Sequence, residues 1–233
     1  RLLSEHGFPE DYLELQYQCN DCKDTGYIRN DKCHCFKQSI VNILYSQSNI
    51  KTAIAKENFS TFSLDYYPNN YINDSVGRSP RENMERIIDH VKNFINNFDK
   101  CFESLLIYGN TGVGKTFLTN CIAKELLDRS KTVIYLTAFQ LFDILEKNKF
   151  NKVDEDEEIQ DQFDYILVCD LLIIDDLGTE LTNAFLNTQL YLCINERYLR
   201  EKSTIISTNL SLDNINTKYT ERIFSRILSN YLL

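Results

Sequence analysis

The residues best suited to chemistry lie in a glycine-rich segment near the middle of the chain. In order, this segment consists of Gly109, Asn110, Thr111, Gly112, Val113, Gly114, Lys115, Thr116 and Phe117. A glycine, four intervening residues and then Gly-Lys-Thr form the complete phosphate-binding loop pattern. The glycines let successive backbone N–H groups face one anion, while Lys115 reaches the β- and γ-phosphates and the Thr116 hydroxyl binds Mg²⁺. The segment therefore predicts a nucleoside triphosphate site.

The residues around this loop predict the elements that must hold it. Residues 105–108 are a short apolar run of the kind that forms a buried strand. From Phe117 onwards, apolar residues recur at helical spacing. A helix should therefore begin near Lys115 and direct its positive dipole end at the phosphates. The loop is expected between a strand and a helix, which is the context that the pattern requires.

A second apolar run ends in acidic residues. Residues 171–178 read Leu-Leu-Ile-Ile-Asp-Asp-Leu-Gly, a sequence typical of a parallel-sheet strand whose carboxyl end faces a ligand. We expect Asp175 to bind Mg²⁺, directly or through water, and Asp176 to orient or deprotonate the attacking water. Glu180 is a weaker candidate for positioning that water.

Two further polar groups could complete a hydrolytic site. Residues 204–209, Thr-Ile-Ile-Ser-Thr-Asn, predict another buried strand that ends in Asn209; the amide there could sense the γ-phosphate or fix the water. Arg222 and Arg226 lie four apart on one face of a predicted helix. Both could be ordinary surface arginines. Alternatively, Arg226 is an arginine finger that reaches a neighbouring copy, which implies a head-to-tail ring or open spiral.

Half of the eight cysteines lie near the start of the chain, as Cys19, Cys22, Cys33 and Cys35. Two close pairs flanking a short hairpin match tetrahedral Zn²⁺, with an iron–sulfur cluster or uncoordinated thiols as alternatives. His34 could replace one cysteine of the second pair. We favour the four cysteines, because alternating residues of an extended segment share a side and neighbours do not. About one zinc per chain is expected, and its binding should supply the folding energy of so small a module.

Composition and charge narrow the class of protein. The chain has 233 residues, 43% hydrophobic and 25% charged, enough for one α/β domain and a smaller appendage. No apolar run is long enough to span a membrane. The net charge of −9 argues against a broad nucleic-acid-binding surface, so any such contact should be local. Clustered cysteines without a secretion signal indicate a reducing, cytoplasmic setting.

Other segments are expected to support the two sites. Residues 79–82, Ser-Pro-Arg-Glu, predict a helix start with an N-cap, a first-turn proline and a capping box. That helix should run to about residue 98. Residues 37–56 predict one or two connecting helices, 132–136 a second buried strand and 139–147 a helix.

Two segments allow more than one interpretation. The aromatic residues 57–68 could be an extended segment pinned to the core by Phe59, Phe62 and Tyr66, or they could form one wall of an adenine pocket. Residues 154–164 carry seven acidic side chains. Such a run is typical of a solvated face or mobile loop, with an acidic docking site as the alternative.

Together these patterns resemble the AAA+ ATPases and, within them, the DnaC/DnaI-type bacterial helicase loaders. The resemblance lies in the phosphate loop, the double-aspartate strand, the Ser-Thr-Asn at 207–209 and the Arg-Ile-Phe-Ser-Arg at 222–226. The cysteine segment, with Cys-Lys-Asp-Thr-Gly at 22–26, resembles the zinc module of DnaI-like members. The implied fold is an α/β P-loop ATPase domain, a parallel β-sheet flanked by helices, at residues 51–233. A small helicase-interacting zinc module with a connecting helix occupies residues 1–50.

The resemblance also implies a function. Such loaders grip a hexameric DnaB-type replicative helicase through the amino-terminal module and place it on single-stranded DNA, with ATP binding and hydrolysis as a switch. In family terms Asn209 is sensor one, and Arg226 is the finger that acts in trans within a self-assembled oligomer. The family continues into a last strand and a sensor-two arginine, which we expect to be missing here.

Three other functions remain open from the sequence. A transposition-helper or initiator ATPase shares the core motifs, although the resemblance to those proteins does not cover the zinc module. A small-molecule P-loop kinase would need an acceptor pocket and an arginine-bearing lid. A zinc-dependent adaptor with a vestigial ATPase would bind nucleotide without turning it over.

Overall fold

The computed structural model describes residues 6–9, 12–13, 15–44, 48–74, 76–150, 157–181 and 183–232. Its amino-terminal elements are the antiparallel strands β1 (Tyr27–Ile28) and β2 (Asp31–Lys32), then helices α1 (His34–Leu44), α2 (Ser48–Lys56) and α3 (Pro80–Asn97). A short 3-10 turn at Leu64–Tyr66 lies between α2 and α3. Among the described residues, every helix lacks either the length or the apolar composition that a bilayer crossing requires.

The rest of the chain alternates strands with helices. These elements are β3 (Ser104–Tyr108), α4 (Lys115–Asp128), β4 (Val133–Thr137), α5 (Ala138–Phe150), α6 (Glu157–Val168), β5 (Leu171–Leu177), α7 (Ala184–Leu199), β6 (Ser203–Thr208), α8 (Leu212–Lys218), α9 (Glu221–Asn230) and β7 (Tyr231–Leu232). Five of the strands form one parallel sheet in the order β4-β5-β6-β3-β7. β3 therefore lies beside β6, and β6 beside β5, so the carboxyl ends of these three strands are neighbours.

Helices cover both faces of this sheet, because its strands are apolar on both sides. Along β5, Leu171 and Ile173 belong to the core layer shared with α3 and α4. The alternate residues Leu172 and Ile174 belong to the layer under α5 to α9. Successive strand side chains point to opposite faces, so a continuous apolar run serves two cores. The predicted parallel sheet flanked by helices is confirmed.

The start of α3 follows the sequence prediction closely. The Ser79 hydroxyl accepts the N–H of Glu82 at 3.2 Å, and the Glu82 carboxylate accepts the N–H of Ser79 at 2.9 Å. These are the two reciprocal bonds of a capping box, with Pro80 in the first turn. The N–H and hydroxyl of Ser79 hold the pKa of Glu82 below its ordinary value.

One prediction about the second half was wrong and another holds in part. The acidic segment was expected to be a solvated face or mobile loop; its residues 157–164 lie in α6 (Glu157–Val168), where Asp164 is exposed, and the next residues, Ile166 and Leu167, are buried in the core. Residues 151–156 lie outside the described part. The last strand, expected to be missing, is present as β7, which pairs with β3. Both elements depend on contacts with distant parts of the chain.

Gln38 of α1 joins the amino-terminal module to the sheet. Gln38 donates its amide to the Val133 carbonyl at 3.3 Å, and the Val133 N–H donates to Gln38 Oε1 at 3.0 Å. Val133 begins β4, the edge strand. The glutamine amide therefore satisfies backbone groups that an exposed sheet edge would leave to solvent or to another chain.

A buried arginine of α7 connects the end of α6 to strand β6. Arg197 of α7 is fully buried. Its guanidinium donates to the carbonyls of Cys169 and Ser203, to the Thr204 hydroxyl and to the carbonyl of Ile166. A buried charge is tolerated only when its donors are satisfied, so Arg197 fixes the end of α6 against β6.

Candidate nucleotide-binding site and thiol cluster

The phosphate loop connects β3 to α4, as its sequence predicts. Gly112 and Gly114 have φ angles of +82° and +94°, in the region where side chains are strained. Lys115 is the first residue of α4. Its ammonium donates to the carbonyls of Gly109 at 2.9 Å and Asn110 at 2.8 Å, and to Asn209 Oδ1 at 2.5 Å. The lysine thus lies inside the loop and touches the end of β6.

The charge of Lys115 is partly shielded from solvent. The side chain is buried with 8% of its surface exposed. Burial lowers the pKa of Lys115, while the nearby carboxylates of Asp176 and Asp175 oppose that change. A desolvated ammonium that contacts only neutral oxygens directly is well suited to exchange them for phosphate oxygens.

Asp175 occupies the end of β5 and is surrounded by hydroxyl groups. Tyr135 donates to Asp175 Oδ2 at 2.8 Å, and the Thr116 hydroxyl lies 3.2 Å from the same oxygen. The Ser207 hydroxyl donates to Oδ1. A threonine hydroxyl next to a carboxylate is the oxygen donor set that Mg²⁺ prefers. The residues predicted to hold magnesium therefore lie together and fit that ion.

Asp176 and Asn209 lie next to each other at the same edge. Asp176 has a φ of +56°, and its N–H donates to the Ser207 hydroxyl at 2.9 Å. The Asn209 amide approaches Asp176 Oδ1 at 3.5 Å while its oxygen accepts from Lys115. Aspartate tolerates the left-handed conformation better than most residues, and such backbone is often found at functional sites. Asn209 thus lies between the loop lysine and the carboxylate predicted to handle water.

Glu180 is held by protein groups on both carboxylate oxygens. Oε2 accepts the Gly178 N–H at 2.9 Å, Oε1 accepts the Tyr219 hydroxyl, and Lys218 lies 4.0 Å away. Only 6% of its surface is exposed. These contacts fix the loop after β5 against α8, and a role in positioning water stays a prediction.

Arg226 is engaged elsewhere, on the surface formed by α7 and α9. Its guanidinium donates to Asn195 Oδ1 at 2.6 Å and lies 5.3 Å from the ring centre of Tyr198. It lines an open cavity of about 380 Å³ together with Tyr191, Glu221, Arg222, Ser225 and Ser229. Arg222 is exposed. The finger role of Arg226 in trans stays a prediction.

An aromatic residue beside the phosphate loop escaped the sequence analysis. Tyr67 donates its hydroxyl to the Val113 carbonyl at 3.1 Å and stacks on Phe62, which meets Phe117 edge to face. The prediction that Tyr66 pins this segment was wrong, since 86% of its surface is exposed. A signal was present in the Tyr-Tyr-Pro sequence, but adjacent residues point in different directions and the sequence alone did not say which one faces inward.

The four amino-terminal cysteines converge on one point. Their sulfur atoms all lie within 4.8 Å of one another, with Cys19 and Cys33 at 3.7 Å and Cys22 and Cys35 at 3.4 Å. Four thiols at this separation fit a tetrahedral zinc ion. Cys35 lies in the first turn of α1 and not in the extended segment that was predicted, although its thiol does face the cluster.

His34 lies at the rim of the same cluster. Its Nε2 is 3.4 Å from Cys19 Sγ and 3.1 Å from Asp21 Oδ2. Cys19, Asp21 and His34 therefore form a second group of potential metal ligands. Burial raises the pKa of Cys22, but sulfur contacts led by Cys35 and the Gly26 N–H bring it down to about 7. Burial raises that of Cys35 to about 12. The geometry thus favours four sulfurs with His34 held by Asp21.

Comparison with known proteins agrees with this geometry. Residues 81–232 match the family described as IstB-like ATP binding protein. Replicative helicase loader DnaC of Escherichia coli (strain K12) is 22% identical over 146 residues, which cover 63% of this chain and 58% of DnaC. Phage-like element PBSX protein XkdC of Bacillus subtilis (strain 168) is 26% identical over 94% of this chain and 82% of its own length.

Solved structures show the same fold. The crystal structure of the DnaC helicase loader has a TM-score of 0.59 at 22% identity and covers 77% of this chain and 96% of that one. Replication initiator DnaA bound to AMPPCP and single-stranded DNA has a TM-score of 0.55 at 21% identity, over 76% and 50% of the two chains. The core is thus an AAA+ P-loop fold. Since the family match spans more than half of the sequence, the chain belongs to the IstB-like ATP-binding protein family.

Proposed function

We propose that this protein is an ATP-dependent loader that places a DnaB-type hexameric replicative helicase on single-stranded DNA. The observation that carries the proposal is that Lys115 of the phosphate loop lies with Asp175 and Asn209 at the carboxyl ends of the neighbouring strands β3, β5 and β6. In this site Lys115, in the loop after β3, contacts Asn209, directly after β6. Nucleotide binding can therefore change how the ends of these two strands are connected. The relatives named as helicase loaders supply the reason for choosing this partner.

The residues of the site have separable roles in ATP hydrolysis. Loop N–H groups and Lys115 bind the phosphates, and the oxygens of Thr116 and Asp175 hold Mg²⁺, which neutralises phosphate charge when bound. Asp176 orients the attacking water or accepts its proton. Asn209 reports whether a γ-phosphate is present, because it contacts both Lys115 and Asp176. Hydrolysis is expected to be slow and to be stimulated by DNA or by the helicase.

The switch follows from the contacts of Lys115. Its ammonium bonds two loop carbonyls and Asn209. Phosphate oxygens compete for the same donor, so nucleotide binding should release Asn209 at the end of β6. A change there passes to α8, which follows β6 after three residues.

Arg226 is proposed to act on the nucleotide of a neighbouring copy in a head-to-tail oligomer or spiral. Support comes from its position on the α7–α9 surface, where Asn195 and Tyr198 hold the guanidinium in a half-buried setting. Mixing Arg226→Ala with Asp176→Asn protomers should restore hydrolysis at mixed interfaces. Equal inactivity of the mixture and of each variant alone would contradict action in trans.

The amino-terminal module, residues 1–50, is proposed to bind the helicase, and residues 51–233 to form the ATPase domain. A cluster with four protein sulfurs leaves no open zinc position for catalysis, which favours a scaffold for a partner surface. Gln38 ties this module to β4 of the ATPase sheet. The module therefore lies against the edge strand of that sheet.

The proposal is tested with the full chain, the hexameric replicative helicase of the same host and single-stranded DNA. The wild type should raise the amount of helicase retained on DNA in the presence of ATP. Lys115→Ala should remove the ATP-dependent part, whereas exposed Lys147→Ala should behave as wild type. Retention that is independent of the chain, or equal with and without ATP, would contradict the loader function.

An initiator or transposition-helper ATPase is the second candidate. The family description and the likeness to DnaA favour it, because both concern the ATPase core alone. In that case the chain would assemble on DNA with ATP but would not retain the helicase. The same experiment separates the two functions.

A further inference from the structure

Two tyrosines contact the candidate nucleotide site at different components. Tyr67, directly after the 3-10 turn between α2 and α3, reaches the phosphate loop, and Tyr135 of β4 reaches the carboxylate at the end of β5. We propose that Tyr67 is a positioning residue for the phosphate-binding backbone and Tyr135 a positioning residue for the magnesium ligand. This inference rests on the proposed ATP-binding function and deepens it.

The Tyr67 hydroxyl determines how one peptide of the loop faces. It donates to the Val113 carbonyl at 3.1 Å. The described part of the chain contains no cis peptide bond, and in a trans peptide the C=O and the following N–H point in opposite directions. Holding the Val113 carbonyl towards Tyr67 therefore turns the Gly114 N–H to the other side of the loop. Backbone N–H groups are the part of this motif that binds phosphate.

Close packing supports the same role for Tyr67. A Cβ atom placed on Gly114 would lie 2.5 Å from the tyrosine oxygen, so the hydroxyl is packed directly against the glycine and would have to shift for any larger residue. The ring also stacks on Phe62 at 6.0 Å between centres, and Phe62 packs against Phe117 in the first turn of α4. Burial raises the pKa of Tyr67, which keeps the hydroxyl protonated and able to donate.

The segment that carries Tyr67 is itself anchored. Arg81 of α3 donates to Asp65 Oδ1 at 2.8 Å and to the Leu64 carbonyl at 3.3 Å. The Ser79 hydroxyl lies 2.5 Å from Asn69 Oδ1 on the far side of the tyrosine. The residues on both sides of Tyr67 are thus hydrogen-bonded to the start of α3, which fixes the position of Tyr67.

Tyr135 contacts the carboxylate that is predicted to bind Mg²⁺. Its hydroxyl donates to Asp175 Oδ2 at 2.8 Å and lies 2.9 Å from the Thr119 hydroxyl of α4. The same carboxylate oxygen lies 3.2 Å from Thr116. Tyr135 therefore fixes the rotation of Asp175 next to the second predicted metal ligand. Outer groups that orient a metal-binding carboxylate commonly affect metal affinity by about 10- to 100-fold.

The two roles separate experimentally because one concerns the anion and the other the cation. The affinity of a fluorescent ATP analogue is measured by titration of the full chain, once in EDTA and once in excess Mg²⁺. Tyr67→Phe should weaken binding by about three- to tenfold under both conditions, as expected for the loss of one hydrogen bond. Tyr135→Phe should leave the EDTA affinity unchanged and reduce the gain from Mg²⁺ by about tenfold.

Each variant is the control for the other, and Tyr165→Phe, at a half-buried tyrosine of α6 packed on the core layer of the opposite sheet face, should match the wild type. If Tyr135→Phe does not fold, Thr119→Val removes the neighbouring hydroxyl and should show the same Mg²⁺-specific loss.

Unchanged affinities, or equal losses in EDTA and Mg²⁺ for Tyr135→Phe, overturn the Tyr135 role. An unchanged Tyr67→Phe overturns the other. Absence of binding by the wild type would instead reject the proposed function itself, and this inference with it.

Discussion

The nucleotide site and the thiol cluster are assembled by different means. At the nucleotide site, Lys115, Asp175 and Asn209 sit at the ends of buried strands or at the start of a helix, so the sheet fixes their positions. At the thiol cluster, Cys19 and Cys22 lie before the two-residue strand β1, Cys33 directly follows the equally short β2, and Cys35 lies in the first turn of α1. Burial of apolar side chains holds the nucleotide site in place, whereas the thiol cluster depends on a metal ion bound by its sulfurs.

This difference indicates which site tolerates the loss of its ligand. The sheet core contains many fully buried residues, among them Leu172, Ile174 and Ile206. The core around the cysteines consists of Cys19, Cys22 and Cys33, with Cys35 packed against them. Removing nucleotide should therefore leave the ATPase domain folded, whereas removing zinc should unfold the module.

The largest effect is expected from the double substitution Cys19→Ser and Cys22→Ser. It removes half of the ligand set, so bound zinc should fall from about one per chain to none, since four ligands define the site. Zinc content is measured by elemental analysis of the purified chain. Cys101→Ser is the matched control, because Cys101 is exposed and lies outside the cluster.

The same variant tests whether the two regions are independent. The affinity for an ATP analogue should stay within a factor of about two of the wild type, because distant sites contribute independently. A parallel loss of zinc and of nucleotide binding would show that the contact between Gln38 and Val133 couples the folding of both regions.

Arg197→Ala should be the next largest change, now in the ATPase core. It leaves the carbonyls of Cys169 and Ser203 without their donor in a buried setting. We expect a loss on the order of 3 kcal/mol in the free energy of unfolding, since each unsatisfied buried group costs about 1 to 3 kcal/mol. Denaturant unfolding measures it. Arg200→Ala, in an exposed pair with Glu196 on the same helix, should cost less than about 0.5 kcal/mol.

Ser79→Ala removes one bond of the capping box and should lower the unfolding free energy by about 1 kcal/mol near neutral pH. The Ser79 N–H and hydroxyl hold the pKa of Glu82 below its ordinary value. A lowered carboxyl pKa gives stability above the ordinary value that is lost as pH falls through the lowered one. Glu82→Gln should lack this part of the pH dependence, and denaturant titrations at several pH values check it.

The smallest effect is expected from His34→Ala. If the four thiols are the ligands, zinc content should stay near one per chain, because only the contact of His34 with Asp21 is lost. Cys35→Ser should reduce zinc binding strongly. The opposite ranking would place His34 in the ligand set and Cys35 outside it.

Much of the nucleotide site could be predicted because its signals are local. The loop glycines, the acidic end of β5 and the capping box at Ser79 each depend on neighbouring residues, and each element was found at the expected place. A parallel sheet brings the ends of such strands together, so Asp175 and Asn209 could be assigned to one site before their contacts were known.

What the sequence did not reveal depends on contacts between distant residues. Tyr67 and Tyr66 are alike in type, and only the position of the phosphate loop distinguishes them. Arg197 looks like a surface residue in its Asn-Glu-Arg-Tyr context, yet it is fully buried. The acidic run near Glu157 did not reveal a helix, because α6 is held by Ile166 and Leu167, which follow the run and pack in the core. Local patterns report elements, not the partners that those elements meet.

The central claim is that the phosphate loop and Asp175 form one site for ATP with Mg²⁺. The most direct test is calorimetric titration of a non-hydrolysable ATP analogue with Mg²⁺ into the wild type and into Lys115→Ala. The account predicts about one nucleotide per wild-type chain, in line with a single phosphate loop, and no detectable binding by the variant. Equal affinity of the two proteins would contradict it.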